Sequence, residues 1–205
     1  APHLLMLSAT PIPRTLAMSY LADLDVSTID ELPPGRTPVV TKLVSTTRRA
    51  EVLERVQSEV NAGRQVYWVC PLVEESDRID SAVELTAATT LFEDTQRSLP
   101  ALRLGLLHGQ LPAAEKSAVM QAFTQGEIDV LVATTVIEVG VDVPRASLMV
   151  IDHAQRFGLA QLHQLRGRVG RGSTQSYCVL LYDEPLVDVA RERLKILFES
   201  SDGFE

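Results

Sequence analysis

Short apolar runs rich in β-branched residues alternate along this chain with longer amphipathic stretches, and that alternation leaves few folds open. Strands are expected at 4–7, 39–44, 65–70, 104–107, 130–133, 148–151 and 177–182. Several of these runs are apolar at every position, as strands covered on both faces must be. Helices are expected between them at 48–62, 81–99, 112–123 and 160–165, with a last one at 185–198. Around the third, Leu111, Ala114, Ala118, Ala122 and Phe123 recur at helical spacing, and Pro112 suits a first helical position. Strand–helix alternation at this period predicts an α/β fold, a parallel sheet with right-handed crossovers and helices on both faces.

At 205 residues the chain is long enough to bury a real core. No apolar run approaches the roughly 18 residues that would span a bilayer. The opening Ala1-Pro2-His3-Leu4-Leu5-Met6-Leu7 has neither the basic region nor the apolar length of a signal peptide, and its lack of an initiator Met fits a chain cut from a longer one. Cys70 and Cys178 each lie in an apolar strand-like run and read as buried, reduced thiols, so a cytoplasmic location is expected. A net charge of -8 argues against binding nucleic acid through a broad basic surface. Any such contact has to be local, through a few placed groups and backbone amides.

The best candidate linker is Glu31-Leu32-Pro33-Pro34-Gly35-Arg36-Thr37-Pro38, whose three prolines and one glycine exclude helix and central strand. Residues 1–33 then read as the end of one domain, 34–38 as a linker, 39–183 as a complete α/β domain and 184–205 as the start of a further region.

Four segments carry chemistry. Gln164-Leu165-Arg166-Gly167-Arg168-Val169-Gly170-Arg171-Gly172 packs guanidiniums and glycines into an otherwise acidic protein. Gln164, Arg168 and Arg171 fall at i, i+4 and i+7, so a helix through them would carry all three on one face. Interior glycines cost such a helix about 1 kcal/mol each. Arginine forks suit phosphate oxygens, although the same residues also fit a solvated basic face. Thr134 and Thr135, with Gly140 and Asp142 beyond them, follow the run at 130–133, where an open parallel sheet holds its ligands. A strand-to-helix turn with Thr caps is the plainer account. His108-Gly109 ends the run at 104–107 and is expected to face the same crevice as Thr134, or else to be a hydrogen-bonded structural histidine. Ser8-Ala9-Thr10 after the first run is turn chemistry unless it acts in combination. The four histidines show no ligand spacing, so no protein-bound metal site is expected.

In this order and spacing the four segments resemble the second half of a superfamily 2 helicase. Met6 through Met18, Ile29 through Pro38 and Tyr67-Trp68-Val69-Cys70-Pro71-Leu72-Val73-Glu74-Glu75-Ser76 resemble the RecG branch-migration helicases. Gly158 through Gly172 is a pattern that RecG shares with the transcription-repair coupling translocase Mfd, and the Pro-Pro-Gly-Arg-Thr-Pro linker and Trp-Val-Cys-Pro strand favour RecG.

The resemblance implies a RecA-like fold, the second of two motor domains with ATP and Mg²⁺ bound between them, mainly by the first. It implies Arg168 and Arg171 as arginine fingers on the γ-phosphate, Gln164 as a nucleotide sensor, and Gly140 and Asp142 on the nucleotide side. His108, Gly109, Thr134 and Thr135 match positions that hold the DNA backbone, and Ser8, Ala9 and Thr10 match the motif that couples nucleotide state to DNA grip. Arg166, off the Gln164–Arg168–Arg171 face, is given no role. The implied partners are branched or forked DNA, the protein's own N-terminal motor and wedge domains, and a single-strand DNA-binding protein.

The chain departs from a whole helicase in having no Gly-x-x-x-x-Gly-Lys-[Ser/Thr] phosphate loop among its residues. Neither Asp30-Glu31 nor Asp183-Glu184 is read as ending the apolar strand that a Mg²⁺-holding Asp-Glu motif requires. By itself it is expected to be catalytically inactive. An Mfd-type translocase half, an RNA helicase half and a non-catalytic RecA-like binding module are the competing readings.

Overall fold

The structure, a computed structural model, describes residues 38–71, 81–134, 143–172 and 174–199. The expected strand at 4–7 and the linker fall outside these residues.

Six strands form one sheet: β1 (Val40–Ser45), β2 (Gln65–Val69), β3 (Leu104–Leu107), β4 (Val130–Ala133), β5 (Ala146–Ile151) and β6 (Tyr177–Tyr182). Every pairing is parallel, in the order β1-β6-β5-β2-β4-β3. Among the described residues five helices connect or follow the strands: α1 (Arg49–Asn61), α2 (Ser81–Ser98), α3 (Ala113–Gln125), α4 (Leu159–Arg166) and α5 (Asp188–Glu199). Short 3-10 turns, Thr46–Arg48 and Ala154–Arg156, lead into α1 and toward α4.

Local sequence explains the punctuation. Pro112 precedes α3, and Gly126 ends it at φ 82°, a left-handed conformation that suits glycine. In α1, Val52, Val56 and Glu59 recur at i, i+4 and i+7 and form its buried stripe.

Alternation along the strands divides the core in two. Tyr67, Val69, Leu131, Ala133, Met149, Ile151 and Leu180 point to one face, where Phe123 of α3, Leu162 and Leu165 of α4, and Leu194 and Leu197 of α5 cover them. Val66, Trp68, Val130, Val132, Leu148 and Val150 point to the other, beneath Val52 and Val56 of α1 and Ala88 and Leu91 of α2. Strands β2, β4 and β5 are buried at every position, which is why they read as apolar runs, interrupted only by the buried Gln65 and Ser147. Helix α5 therefore belongs to the same core as the sheet.

Glu59 is the exception on the buried face of α1. Its carboxylate accepts from Arg64 Nε at 2.5 Å and Ser147 Oγ at 2.6 Å, and Arg55 lies 2.6 Å away. Burial acts to raise this carboxyl, but those hydrogen bonds and the Arg55 and Arg64 charges outweigh it and hold the group below the usual range. A depressed folded value contributes stability above the unfolded pKa of about 4.3 and loses it as pH falls through the folded value. Thermal unfolding followed from pH 7 to pH 3 is expected to show this loss in the acid limb, and Glu59→Gln to flatten that limb. An unchanged acid limb in the variant would assign the slope to other carboxylates.

Candidate functional site

Chain topology creates a crevice where neighbouring connections leave the sheet in opposite directions. Here β2 and β5 are adjacent, yet β2 leads through α2 to one edge while β5 leads through α4 toward the other. At their carboxyl ends lie Cys70 and Pro71 on one side and Asp152 and His153 on the other.

Asp152 is the centre of a polar network that the sequence reading missed. It is only 2% exposed, and Arg49 at the start of α1 grips it bidentately at 2.7 and 2.8 Å. Trp68 Nε1 donates to it at 3.3 Å, the His153 amide donates at 3.1 Å, and the Arg49 guanidinium lies over the indole 5.7 Å from its centroid. His153, in the left-handed region at φ 47°, turns its ring to Asp183, so that Nδ1–H donates to Oδ2 at 2.5 Å. Thr46 Oγ1 and Gln155 Nε2 donate to the same carboxylate at 3.0 and 2.9 Å. Burial acts to raise the Asp183 carboxyl, but these hydrogen bonds and the His153 charge outweigh it and leave it below the ordinary range.

That arrangement corrects one reading. Asp183 does follow an apolar strand directly, because β6 ends at Tyr182. Its oxygens are nonetheless committed to Thr46, His153 and Gln155, and among the described residues no three His, Cys, Asp or Glu side chains cluster as a metal site.

His108 and Thr134, expected to share a crevice, end adjacent strands. Leu107 pairs with Ala133, and the Thr134 amide donates to the Leu107 carbonyl at 3.1 Å. His108 is 7% exposed, and its Nδ1 is buried with no hydrogen-bond partner among the described residues. The Gly109 carbonyl accepts from Lys116 Nζ at 2.7 Å, which ties the turn to α3.

The arginine segment lies elsewhere, and its helix stops early. Helix α4 ends at Arg166, the Gly167 amide closes its last turn on the His163 carbonyl at 3.0 Å, and Gly170 takes φ 81°. One helical face therefore does not carry Gln164, Arg168 and Arg171, because the helix stops at Arg166 and Gly170 takes the left-handed region before Arg171. Gln164 is exposed on α4, Val169 is fully buried in the core, and Arg168 and Arg171 flank that anchor, half-exposed and exposed. A Cβ on Gly172 would stand 2.7 Å from the Pro144 carbonyl oxygen, so the segment passes directly against the chain entering β5. This places it toward the amino ends of the strands, away from His108 and Thr134.

Arg166 also has a defined place. It is 7% exposed and donates from Nη1 to the Leu197 carbonyl of α5 at 3.1 Å, while Nη2 meets His163 Nδ1 at 3.1 Å. Thr135, Gly140, Asp142, Ser8, Ala9 and Thr10 lie outside the described residues.

Residues 48–173 match the family described as helicase conserved C-terminal domain. Over 99% of its length the chain is 60% identical to the ATP-dependent DNA helicase RecG of Acidithiobacillus ferridurans and 58% identical to that of Escherichia coli K12, and it spans 29% of each. A solved structure of RecG bound to a three-way DNA junction superposes with a TM-score of 0.80 at 47% identity, over 96% of this chain and 25% of that one. The parallel sheet with helices on both faces is thus the RecA-like fold of helicase C-terminal domains. The chain belongs to the helicase conserved C-terminal domain family and, within it, corresponds in sequence to a C-terminal stretch of the RecG type.

Proposed function

We propose that this chain is the second motor domain of an ATP-dependent DNA helicase or translocase that remodels branched DNA, at replication forks and recombination junctions. The observation that carries the reading is the separation of its two polar clusters. Arg168 and Arg171 lie toward the amino ends of the strands, while His108 and Thr134 lie at the carboxyl ends. A nucleotide and a nucleic-acid strand can then be touched at once without competing for one surface.

Arg168 and Arg171 reach out from the Val169 anchor to the γ-phosphate of ATP held by a preceding motor domain, with Gln164, Gly140 and Asp142 on the nucleotide side. His108, Gly109, Thr134 and Thr135 hold the DNA backbone. The buried Nδ1 of His108 has no hydrogen-bond partner among the described residues. Few, sequence-independent contacts suit a translocase and agree with a net charge of -8. Ser8, Ala9 and Thr10 would couple the two sites. Mg²⁺ would be bound with ATP mainly by the phosphate-loop domain. No helix among the described residues is long and apolar enough to cross a membrane, and a cytoplasmic protein is part of this proposal. Its partners would be forked DNA, its own N-terminal motor and wedge domains, and a single-strand DNA-binding protein.

Steady-state ATP hydrolysis tests the reading. The chain alone is expected to show no turnover with or without forked DNA. Joined to a RecG-type phosphate-loop domain, it is expected to hydrolyse ATP in a DNA-stimulated manner. Turnover by the chain alone would sink the half-motor reading.

A further inference from the structure

The crevice at the carboxyl ends of β2 and β5 takes no part in the contacts proposed above, yet it opens into a cleft of about 400 Å³. The cleft runs between α1 and α2 over Trp68, and Arg49, Leu53, Leu91, Asp152 and Arg156 help to line it.

Its charges are unequal in availability. Asp152 is saturated by Arg49, Trp68 and the His153 amide, and Asp94, the other carboxylate lining the cleft, pairs with Arg97. Neither carboxylate is left to attract a cation or to repel an anion at full strength. Arg48, Arg49, Arg55, Arg64, Arg97 and Arg103 all pair with carboxylates. Arg156 is exposed on the 3-10 turn beside His153, and its guanidinium has no side-chain partner among the described residues. A guanidinium that lines a cleft and has no side-chain partner among the described residues is suited to a phosphate oxygen.

Sheet order gives the site its context. Along the carboxyl edge the strand ends run β3, β4, β2, β5, so Arg156 lies two strands beyond Thr134. At about 4.8 Å per strand that is about 10 Å, or about three nucleotides of one strand at a rise of 3.4 Å. We infer that this cleft is a second backbone-phosphate contact on the nucleic-acid track, with Arg156 as the group that binds the phosphodiester. The inference rests on the DNA-translocase reading and extends its track from the β3–β4 ends to the β5 end.

The test is equilibrium binding of the full-length protein to forked DNA across a salt series, with Arg156→Ala, Arg156→Lys, His108→Ala and Lys195→Ala beside the wild type. Loss of one phosphate contact flattens the slope of log K against log salt by about 0.7–0.9. That flattening is expected for Arg156→Ala, with most of the slope kept in Arg156→Lys and all of it in Lys195→Ala, an exposed cation that pairs with Glu199 on its own helix. A wild-type slope in Arg156→Ala, or an equal loss in Lys195→Ala, overturns the inference. Weaker nucleotide binding by Arg156→Ala without DNA would give the phosphate to a nucleotide and overturn it too. If His108→Ala weakens binding and Arg156→Ala does not, the DNA reading stands and only the extension fails. If the wild type binds no DNA, both fall.

Discussion

Arg171→Ala, made in a protein that joins this chain to a phosphate-loop domain, is expected to lower kcat for ATP hydrolysis by roughly 10³-fold or more. A finger acts on charge that develops only in the transition state, so the loss should fall on kcat while the KM for ATP moves little. Arg171→Lys should recover only part of it, because an ammonium cannot present the planar fork. The same substitution at Arg168 should give a loss of similar order. Geometry separates this from a folding defect: Arg171 is exposed, and the buried anchor of the loop is Val169, which the substitution leaves in place. A fall of less than tenfold with an unchanged melting temperature would remove Arg171 from the reaction.

The second large effect concerns stability. Asp152 is 3% exposed in its side chain, whereas its partner Arg49 is 34% exposed. Removing the cation strands a buried carboxylate, which costs about 3–5 kcal/mol, while removing the carboxylate charge leaves a guanidinium that can still reach water. Arg49→Met is therefore expected to destabilise by about 3 kcal/mol, and Asp152→Asn by about 1 kcal/mol. At 2–4 °C per kcal/mol for a domain of this size, Arg49→Met should lower Tm by about 6–12 °C. The double variant Arg49→Met with Asp152→Asn should be more stable than Arg49→Met alone, since no buried charge remains. Denaturant unfolding of the four proteins closes the cycle. Equal costs for the two single substitutions would show that the pair acts as a surface ion pair.

Strand positions were legible because a parallel sheet with both faces covered needs apolar side chains at every position. The expected bounds 104–107, 130–133 and 177–182 coincide with β3, β4 and β6. Strand order was not legible, since nothing local distinguishes an edge strand from its neighbour when both are apolar. His108 and Thr134 were expected to face one crevice, and the structure sets them at the ends of neighbouring strands because β3 and β4 pair in register. The arginine segment misled at one point. Its i, i+4, i+7 spacing suggested a single helix face, but the helix ends at Arg166, before Arg168 and Arg171. The Arg49–Asp152–His153–Asp183 network escaped notice altogether. Arg49 and Asp152 are 103 residues apart, and only the sheet topology brings them together.

The placement of the two clusters at opposite ends of the strands has a mechanical consequence. Three central strands, β2, β4 and β5, are buried at every position between two helical layers. Interiors packed to this density are nearly incompressible, so the sheet behaves as a stiff strut. On the proposed motor reading, a tilt imposed at one end by the gain or loss of a phosphate would be delivered at the other as a displacement of nearly the same size. Softening the core should then shorten that displacement before it slows the chemistry.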